Sequence, residues 1–444
     1  MIVRRARNRV RHVCGKVWRL YCLWLVIGGC ATPLAAQTNE RLFENLEFRF
    51  TTPGARSAGM GWTFIGLSDD ATAAVSNPAG LSNLLEQEFS LEFSGTKLRH
   101  ERTGELGAGD TQTFGSFIFT PTFFSYVVPV GRGTISLFRN SVQNFSEQFA
   151  FGPREVATRD HPEDGAFGAI SVDAQSYGVG GAFVVNRALS VGGSVGVMTL
   201  DFASEARSGT PLNQRNGTNT IYNGARWTGA AGVLVKPTRR ISVGANFVPR
   251  ATFTMKTRLF GRFLWTVLDP EGTIVLSGVE KPIDYVIPSR FSIGSSWRVS
   301  DAFTVLTDVS RVLYSQRITA NFLVVDFIDP EARLSSANFS IRDVSELHAG
   351  AEYRMYNPRL TMAFRGGVFT NPDHPLRFER GGNNLDHPAD KLLDFRFNTI
   401  PSQTNVGVTA GWGMVVRNRV QVDVATTYSK DATELIASMV LRVR

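Results

Sequence analysis

SQTNVGVTAGWGMVV, residues 402–416, reads as a strand with two unlike faces. Val406, Val408, Ala410, Trp412 and Met414 fall on one side, and Asn405, Gly407, Thr409, Gly411 and Gly413 on the other. Strict alternation over this length is the mark of a β-strand whose faces meet different media. The pattern recurs along the chain. In 287–299, Phe291, Ile293, Trp297 and Val299 oppose Ser292, Gly294, Ser296 and Arg298. In 189–204, Leu189, Val191, Val195 and Val197 oppose Ser190, Gly192, Ser194 and Gly196. Charge gathers on the second face: Glu346, His348, Glu352 and Arg354 share one parity, opposite Leu347, Ala349, Ala351 and Tyr353.

Alternation alone fits a soluble sandwich as well as a membrane barrel. The connectors separate the two. Fourteen strand candidates run 86–98, 117–129, 132–150, 171–185, 189–204, 222–236, 239–256, 287–299, 302–315, 340–355, 359–369, 402–416, 418–430 and 433–444. Connectors after odd strands are long (99–116, 151–170, 205–221, 257–286, 316–339, 370–401), except the last, near Lys430-Asp431. Those after even strands are tight: Val130-Gly131, Asn186-Arg187, Pro237-Thr238, Ser300-Asp301, Asn357-Pro358 and Arg417. Long loops at one end and short turns at the other describe an outer-membrane barrel with both termini periplasmic. The expected fold is all-β: a 14-stranded antiparallel transmembrane β-barrel. The third strand turns polar at Asn140-Ser141-Val142-Gln143-Asn144, where a kink is expected.

Residues 1–36 carry a basic run, an apolar run from Leu20 to Ile27 and a small-residue exit, the layout of a secretory signal peptide. Cleavage is expected near Ala36; Cys30, after Gly28-Gly29, is an alternative site of lipid attachment. The leader holds seven of the 47 Lys and Arg and none of the 39 Asp and Glu, so the rest of the chain has 40 against 39, a net charge of +1. The basic pI thus belongs to the leader, and nucleic acid is not expected as a partner. Cys14, Cys22 and Cys30 all lie in the leader, which leaves no thiol for a disulfide, a metal or a nucleophile after ordinary cleavage. Beyond it no apolar run reaches the roughly 18 residues of a spanning helix. The 42 glycines and 32 phenylalanines suit strands with aromatic girdles.

A barrel wider than about eight strands has a lumen that side chains of the wall do not fill. The spare material is PGARSAGMGWTFIGLSDDATAAVSNPAGLSNL, residues 53–84. It lacks strand alternation, Pro78 breaks any long helix, and its many small residues let backbone lie against a surrounding wall. Residues 37–85 are therefore expected to be an N-terminal luminal plug, with 86–444 as the barrel.

GARSAGMGWTFIGLSDDATAAVSNPAGL, residues 54–81, resembles the N-terminal hatch of the FadL-type outer-membrane transporters of long-chain fatty acids and other hydrophobic compounds. It is similar also to the PorV/PorQ-type barrels of secretion systems. The match includes Asn77-Pro78-Ala79 and the acidic and small run Asp69-Asp70-Ala71-Thr72-Ala73. Residues 287–315 and 346–371 resemble the hairpins of FadL-type barrels and favour that branch. The resemblance implies passive transport, in which a hydrophobic ligand enters the barrel, the hatch shifts, and the ligand leaves sideways through the wall into outer-membrane lipid. The alternative it implies is a PorV-like barrel that binds a secretion-system protein. The chain ends LRVR, without the usual terminal aromatic, although Leu441 and Val443 keep an apolar stripe.

The hatch candidates are Gly59, Gly61, Asp69, Asp70, Asn77, Pro78 and Ala79. Asn77-Pro78-Ala79 is a hinge of the plug or a plain turn after a short helix that starts near Ser68-Asp69. Asp69 and Asp70 either pair with luminal arginines such as Arg298 or Arg365, or cap that helix. In the loop 257–286, Phe260, Phe263, Leu264 and Trp265 form an outside docking surface for a hydrophobic ligand, or line a hairpin that extends the wall with its turn at Asp269-Pro270-Glu271-Gly272. Phe322 and Leu323 are a weaker candidate of the same kind, and Leu42, Phe43, Leu46, Phe48 and Phe50 either touch ligand or anchor the plug. No catalytic residue, metal site or cofactor is expected. No H-E-x-x-H or phosphate-loop pattern occurs, the Gly-rich runs sit inside strand candidates, and His348 with Glu346 and Glu352 reads as a solvated luminal network.

Overall fold

A computed structural model describes residues 52–103, 111–151, 166–209, 215–264, 273–322, 338–357, 359–379, 398, 404–430 and 432–443. The leader, the run Leu42–Phe50, Trp265 and Leu323 lie outside the described residues. The strands are β1 (Gln87–Thr103), β2 (Thr111–Val130), β3 (Gly133–Phe151), β4 (Ala166–Val184), β5 (Leu189–Gly209), β6 (Arg215–Val235), β7 (Ile241–Val248), β8 (Ala251–Leu264) and β9 (Thr273–Ile287). They continue with β10 (Arg290–Arg298), β11 (Phe303–Val312), β12 (Phe339–Ser340), β13 (Val344–Met355), β14 (Leu360–Pro372), β15 (Arg377–Phe378), β16 (Thr404–Val416), β17 (Val420–Tyr428) and β18 (Ala432–Val443).

Fourteen of these close a ring in the order β1-β2-β3-β4-β5-β6-β7-β10-β11-β13-β14-β16-β17-β18, and β18 pairs back with β1. Every pairing is antiparallel, so each strand needs only a turn or loop to reach its neighbour. The turn between β16 and β17 shows the economy at one end: Arg417 and Asn418 both take positive φ, +49° and +57°, and Arg419 N–H bonds Val416 O. The ladder starts at Val416↔Val420, so three residues reverse the chain, and two successive left-handed residues give the turn a twist that matches the strands. Apolar side chains face outward as alternation predicted, among them Phe291, Ile293, Trp297, Val408 and Trp412. Their opposite numbers, Ser292, Ser296 and Thr409, are buried on the inside.

The segment expected as a long loop at 257–286 is largely strand. β8 and β9 pair with each other and prolong the β7–β10 hairpin beyond breaks at 249–250 and 288–289. Pro249 and Pro288 have no N–H for a ladder, which is where each long strand is interrupted. This is the wall-extension alternative for that stretch.

Among the described residues, two long breaks interrupt the wall. β2 pairs with β3 only from Phe123↔Asn140 to Val130↔Gly133, whereas its upper half pairs with β1 alone. A bulge at Ser141/Gln143, within the expected kink, turns β3 away while its pairing with β4 continues. Pro121 sits at the point of departure, and Arg139 Nη1 reaches across to its carbonyl at 2.6 Å. The second break lies between β6 and the β7–β8 line. β6 has partners in β7 only over Ala231–Val235, and in β8 only over Gly217–Thr220.

Candidate functional site

Residues 53–84 fill the lumen near the short-turn end as a compact hatch. It contains helices α1 (Ala55–Gly59) and α2 (Ala73–Ser76) and a 3-10 turn over Pro78–Asn83. Ala55, Ala58, Met60, Phe64, Ala71, Ala73, Ala74, Asn77, Ala79 and Leu81 are buried almost without remainder. A segment with so few large side chains has no core of its own, and it borrows the inner face of the wall. That face is cleared by glycines. A Cβ on Gly350 or Gly367 would overlap the backbone of Met60 and Gly61, and one on Gly192 would overlap that of Pro78 and Ala79. Gly59 and Gly61 are the matching positions on the hatch: Gly59 lies against Gly411, and Gly61 takes φ +71° against the Val368 and Ala349 carbonyls.

Polar ties fix the hatch around its circumference. Asp308 of β11 accepts the N–H groups of Phe64 at 2.6 Å and Ile65 at 2.9 Å. Thr409 of β16 accepts from Gly61 N–H at 2.9 Å and donates to Gly59 O at 3.1 Å. Glu92 of β1 accepts the Gly54 N–H, and His348 Nδ1 lies 2.8 Å from Gly61 O. His348 thus belongs to the docking network.

The acidic pair behaves differently from either simple expectation. Asp69 binds Arg56 of the hatch itself, Nη1 to Oδ1 at 2.6 Å, and Asp70 lies 3.5 Å from the same nitrogen. Arg56 in turn binds Glu352 of β13, which also binds Arg354 and Arg365, and Arg365 goes on to Asp423 of β17 at 2.7 Å. Arg365 is therefore in the latch, reached from the acids through Arg56 and Glu352; Arg298 has no contact with them. Burial works against the Arg56 charge, but Asp69, Glu352 and Asp70 outweigh it and hold the guanidinium well above its ordinary range. For Asp70 burial dominates and raises the carboxyl, with Arg56 pulling it partly back. Asp70 also accepts the Thr72 N–H at 3.0 Å, so it shapes the entry to α2 as well.

Asn77 joins three segments. Its Nδ2 donates to Ile65 O at 3.0 Å and to Val233 O of β6 at 3.1 Å, and its Oδ1 accepts Ala79 N–H at 3.2 Å. Pro78 follows as the first residue of the 3-10 turn, where a missing N–H costs nothing. Hatch residues 53–61 rest on β14, β16, β17 and β18, while 77–83 rest on β4, β5 and β6. The hatch spans the lumen from side to side.

Toward the long-loop end the lumen changes character. Phe145 of β3, Ile170, Val172 and Ala174 of β4, Met198, Leu200 and Phe202 of β5, and Phe253 and Met255 of β8 all turn inward into one apolar cluster. Ile283 and Tyr285 of β9, the register partners of Met255 and Phe253, belong to it too, and Phe339, Ile341, Leu376 and Phe378 cover it from the loops. Phe322 packs against this cluster, its ring 6.4 Å from that of Phe339, so it faces inward and not an outer docking surface. Between cluster and hatch lies a cavity of about 90 Å³, bordered by Trp62, Ile65, Arg290, Tyr314, His348 and His374. His374 stacks on Tyr314 at 3.6 Å; burial and Arg317 push its pKa down to about 3, so it stays neutral. Apolar above and polar below, the lumen offers a place for a molecule with a hydrophobic body.

Phe260, Phe263 and Leu264 fall on β8, in register with Ser277, Ile274 and Thr273 of β9. A G-x-S-x-G run at Gly192–Gly196 lies within β5, with no strand-to-helix elbow to expose Ser194 as a nucleophile.

A family model described as outer membrane protein transport protein (OMPP1/FadL/TodX) matches residues 50–373. Among solved structures, a Pseudomonas aeruginosa FadL homologue aligns over 88% of this chain and 98% of its own, with TM-score 0.62 and 14% identity. The Ralstonia pickettii toluene transporter TbuX aligns over 89% and 100%, with TM-score 0.59 and 17% identity. The P. putida toluene transporter TodX aligns over 89% and 99%, with TM-score 0.59 and 14% identity. At these identities the structures bear on the fold. No curated protein sequence matches.

Proposed function

Because the chain belongs to the outer membrane protein transport protein family (OMPP1/FadL/TodX), we propose that it takes up hydrophobic small molecules passively, long-chain fatty acids first among them. It is an outer-membrane β-barrel transport protein and not an enzyme. The carrying observation is the apolar luminal cluster beside a broken wall: Phe145 of the cluster follows directly on the β3 bulge where β2 and β3 part. A ligand enters between the long loops, settles against the cluster, and leaves sideways between β2 and β3 when the hatch shifts. In this reading the short turns and the hatch face the periplasm. Burying an acyl chain there is worth about 0.8 kcal/mol per methylene, enough to draw a dilute ligand from water.

The first test is to purify the protein from its own membrane in mild detergent and identify bound molecules by mass spectrometry. Fatty acids in near-stoichiometric amount support the reading, and monoaromatic hydrocarbons would keep uptake and change the cargo. A large protein partner with no apolar cargo would replace it with the secretion reading. The route is tested by deleting Val142, the bulge residue, which removes the register shift between β3 and β4; uptake of radiolabelled oleate should fall severalfold while the barrel still assembles.

A further inference from the structure

We propose that the break between β6 and β8 is a second opening in the wall, through which an apolar molecule passes between the luminal cluster and the outer boundary of the bilayer, with Arg226 as the side chain that closes it. This rests on the uptake reading above and adds a route to it.

Residues 221–230 of β6 face the first residues of β8 with no register partner among them. The pairs that flank the break are nearly in phase, Thr220↔Thr257 above and Ala231↔Phe247 below, so the two edges run alongside each other and part without a change of direction. Three side-chain contacts cross the space: the Thr220 and Thr257 hydroxyls at 2.8 Å, the Tyr222 ring edge-on to Phe253 at 6.3 Å, and Arg226 Nε donating to Thr252 O at 3.0 Å. In a lipid-facing wall, backbone groups without partners are costly, and they persist where they line a cavity. The cavity wall is at hand: Met198, Leu200, Phe202, Phe253 and Met255 lie directly inside, with Tyr222 packed on them.

The outer face carries the same sign. Among the described residues, the four most exposed large apolar side chains of the wall strands are Ile221 and Trp227 at 77%, Phe117 at 71% and Phe119 at 67%. The first two lie on β6 along this break, and the other two lie on the part of β2 that has lost β3. Both breaks thus present aromatic or branched side chains stripped of a neighbouring strand. Trp227 and Ile221 lie eight and fourteen residues from the short-turn end of β6 at Val235. With about 3.3 Å per residue and a tilt near 40°, that is roughly 20 to 35 Å, straddling the far edge of an apolar band about 25 Å tall. Beyond it the described outward residues of β8, Lys256 and Arg258, are charged, and Lys256 lies 3.6 Å from Glu280.

The two breaks also isolate β3 to β6 as a panel that is fully paired within itself. At the short-turn end it stays joined to β2 and β7; at the other end its backbone pairing to the rest of the wall is, among the described residues, the four-residue patch Gly217–Thr220 on β8, and Tyr285 of β9 bonds Gln143 of β3 inside. The hatch segment from Asn77 to Leu81 rests on this panel. Panel movement that widens the β6–β8 break therefore moves against the hatch.

The test uses the full chain in outer-membrane vesicles with radiolabelled oleate and toluene as probes. Ala225→Cys and Thr252→Cys face each other across the break, and a short bis-maleimide ties them; each single-cysteine protein treated alike controls for the reagent. The tie is expected to cut uptake of at least one probe severalfold, with the single variants unaffected. In parallel, spin labels at 225 and 252 report the width of the break, and labels at Val179→Cys and Val195→Cys, partners within the panel, serve as reference. Oleate or toluene should broaden the first distance distribution and leave the second unchanged. Unreduced uptake by fully tied protein overturns the proposal. Should the wild type take up neither probe, the uptake reading falls, and the 225–252 distance alone decides: a response to probe keeps the opening, and none removes it.

Discussion

Arg56 of the hatch binds Glu352 of the wall, Nε to Oε2 at 3.2 Å, and the two side chains are only 7% and 1% exposed. Glu352 accepts from three guanidinium groups at once, those of Arg56, Arg354 and Arg365. Glu352→Ala leaves all three facing one another, and breaking a buried pair costs about 3 to 5 kcal/mol. The expected result is a barrel that still forms but whose hatch is cut by protease in detergent, where the parent resists. Glu352→Gln keeps the shape and should fall between the two.

Gly350→Val and Gly367→Val place methyl groups where the Met60–Gly61 backbone lies. Gly350 and Gly367 are register partners in the β13–β14 ladder, whose backbone pairing a side chain leaves in place. Single-channel recording should show the normally closed barrel passing ions, while Gly366→Val, on the outward face of β14, where a Cβ meets only Thr409 O at 3.9 Å, should not.

Asn77→Ala removes the bonds to Ile65 O and Val233 O, each worth about 1 kcal/mol, and leaves two buried carbonyls poorly satisfied. Pro78→Ala removes only a φ restraint, worth under about 1 kcal/mol. Uptake assays on the pair should show a clear change for Asn77→Ala and a slight one for Pro78→Ala. Equal and large effects would instead favour Pro78 as the hinge.

Much of this was legible along the chain. The alternation at Val406–Met414 and the sorting of long and short connectors together predict the ring, and the glycines and alanines of 53–84 predict a plug inside it. The luminal cluster is written more faintly. In β5 the apolar side chains are odd-numbered through Val197 and even-numbered from Met198 through Leu200 and Phe202, with Asp201 now outside. A strand that swaps its apolar face without a bulge has left the bilayer and begun to line an apolar lumen. Read as one uniform stripe, 189–204 hides that change. The latch was missed for another reason: Arg56 stands thirteen residues before Asp69, and only the fold of the hatch carries it between the acids and Glu352. The β8–β9 hairpin defeats a connector count because its prolines interrupt the strands without ending them.

Asp70 gives the hatch a pH dependence. Its pKa is raised in the folded chain, so the native state binds the proton more tightly than the unfolded one does. That contribution is present at low pH and is lost as pH rises through the folded value. Asp70→Asn keeps an oxygen to accept the Thr72 N–H and removes the buried charge. Thermal unfolding followed from acid to neutral pH should therefore depend less on pH in the variant, with the difference largest near neutrality.

The seam between β1 and β18 sets an order on assembly. The hatch reaches β1 at once, through Gly54 and Glu92, 38 residues apart in the chain. Its other bed, under Ala55–Gly61, is made by β14, β16, β17 and β18, more than 300 residues later. Contacts between such distant segments form slowly. The ring closes along Gln87↔Val443 to Leu98↔Ala432. The bed under Ala55–Gly61 is complete only when the last strand arrives, so until then the nascent barrel carries its first segment as an unfinished passenger.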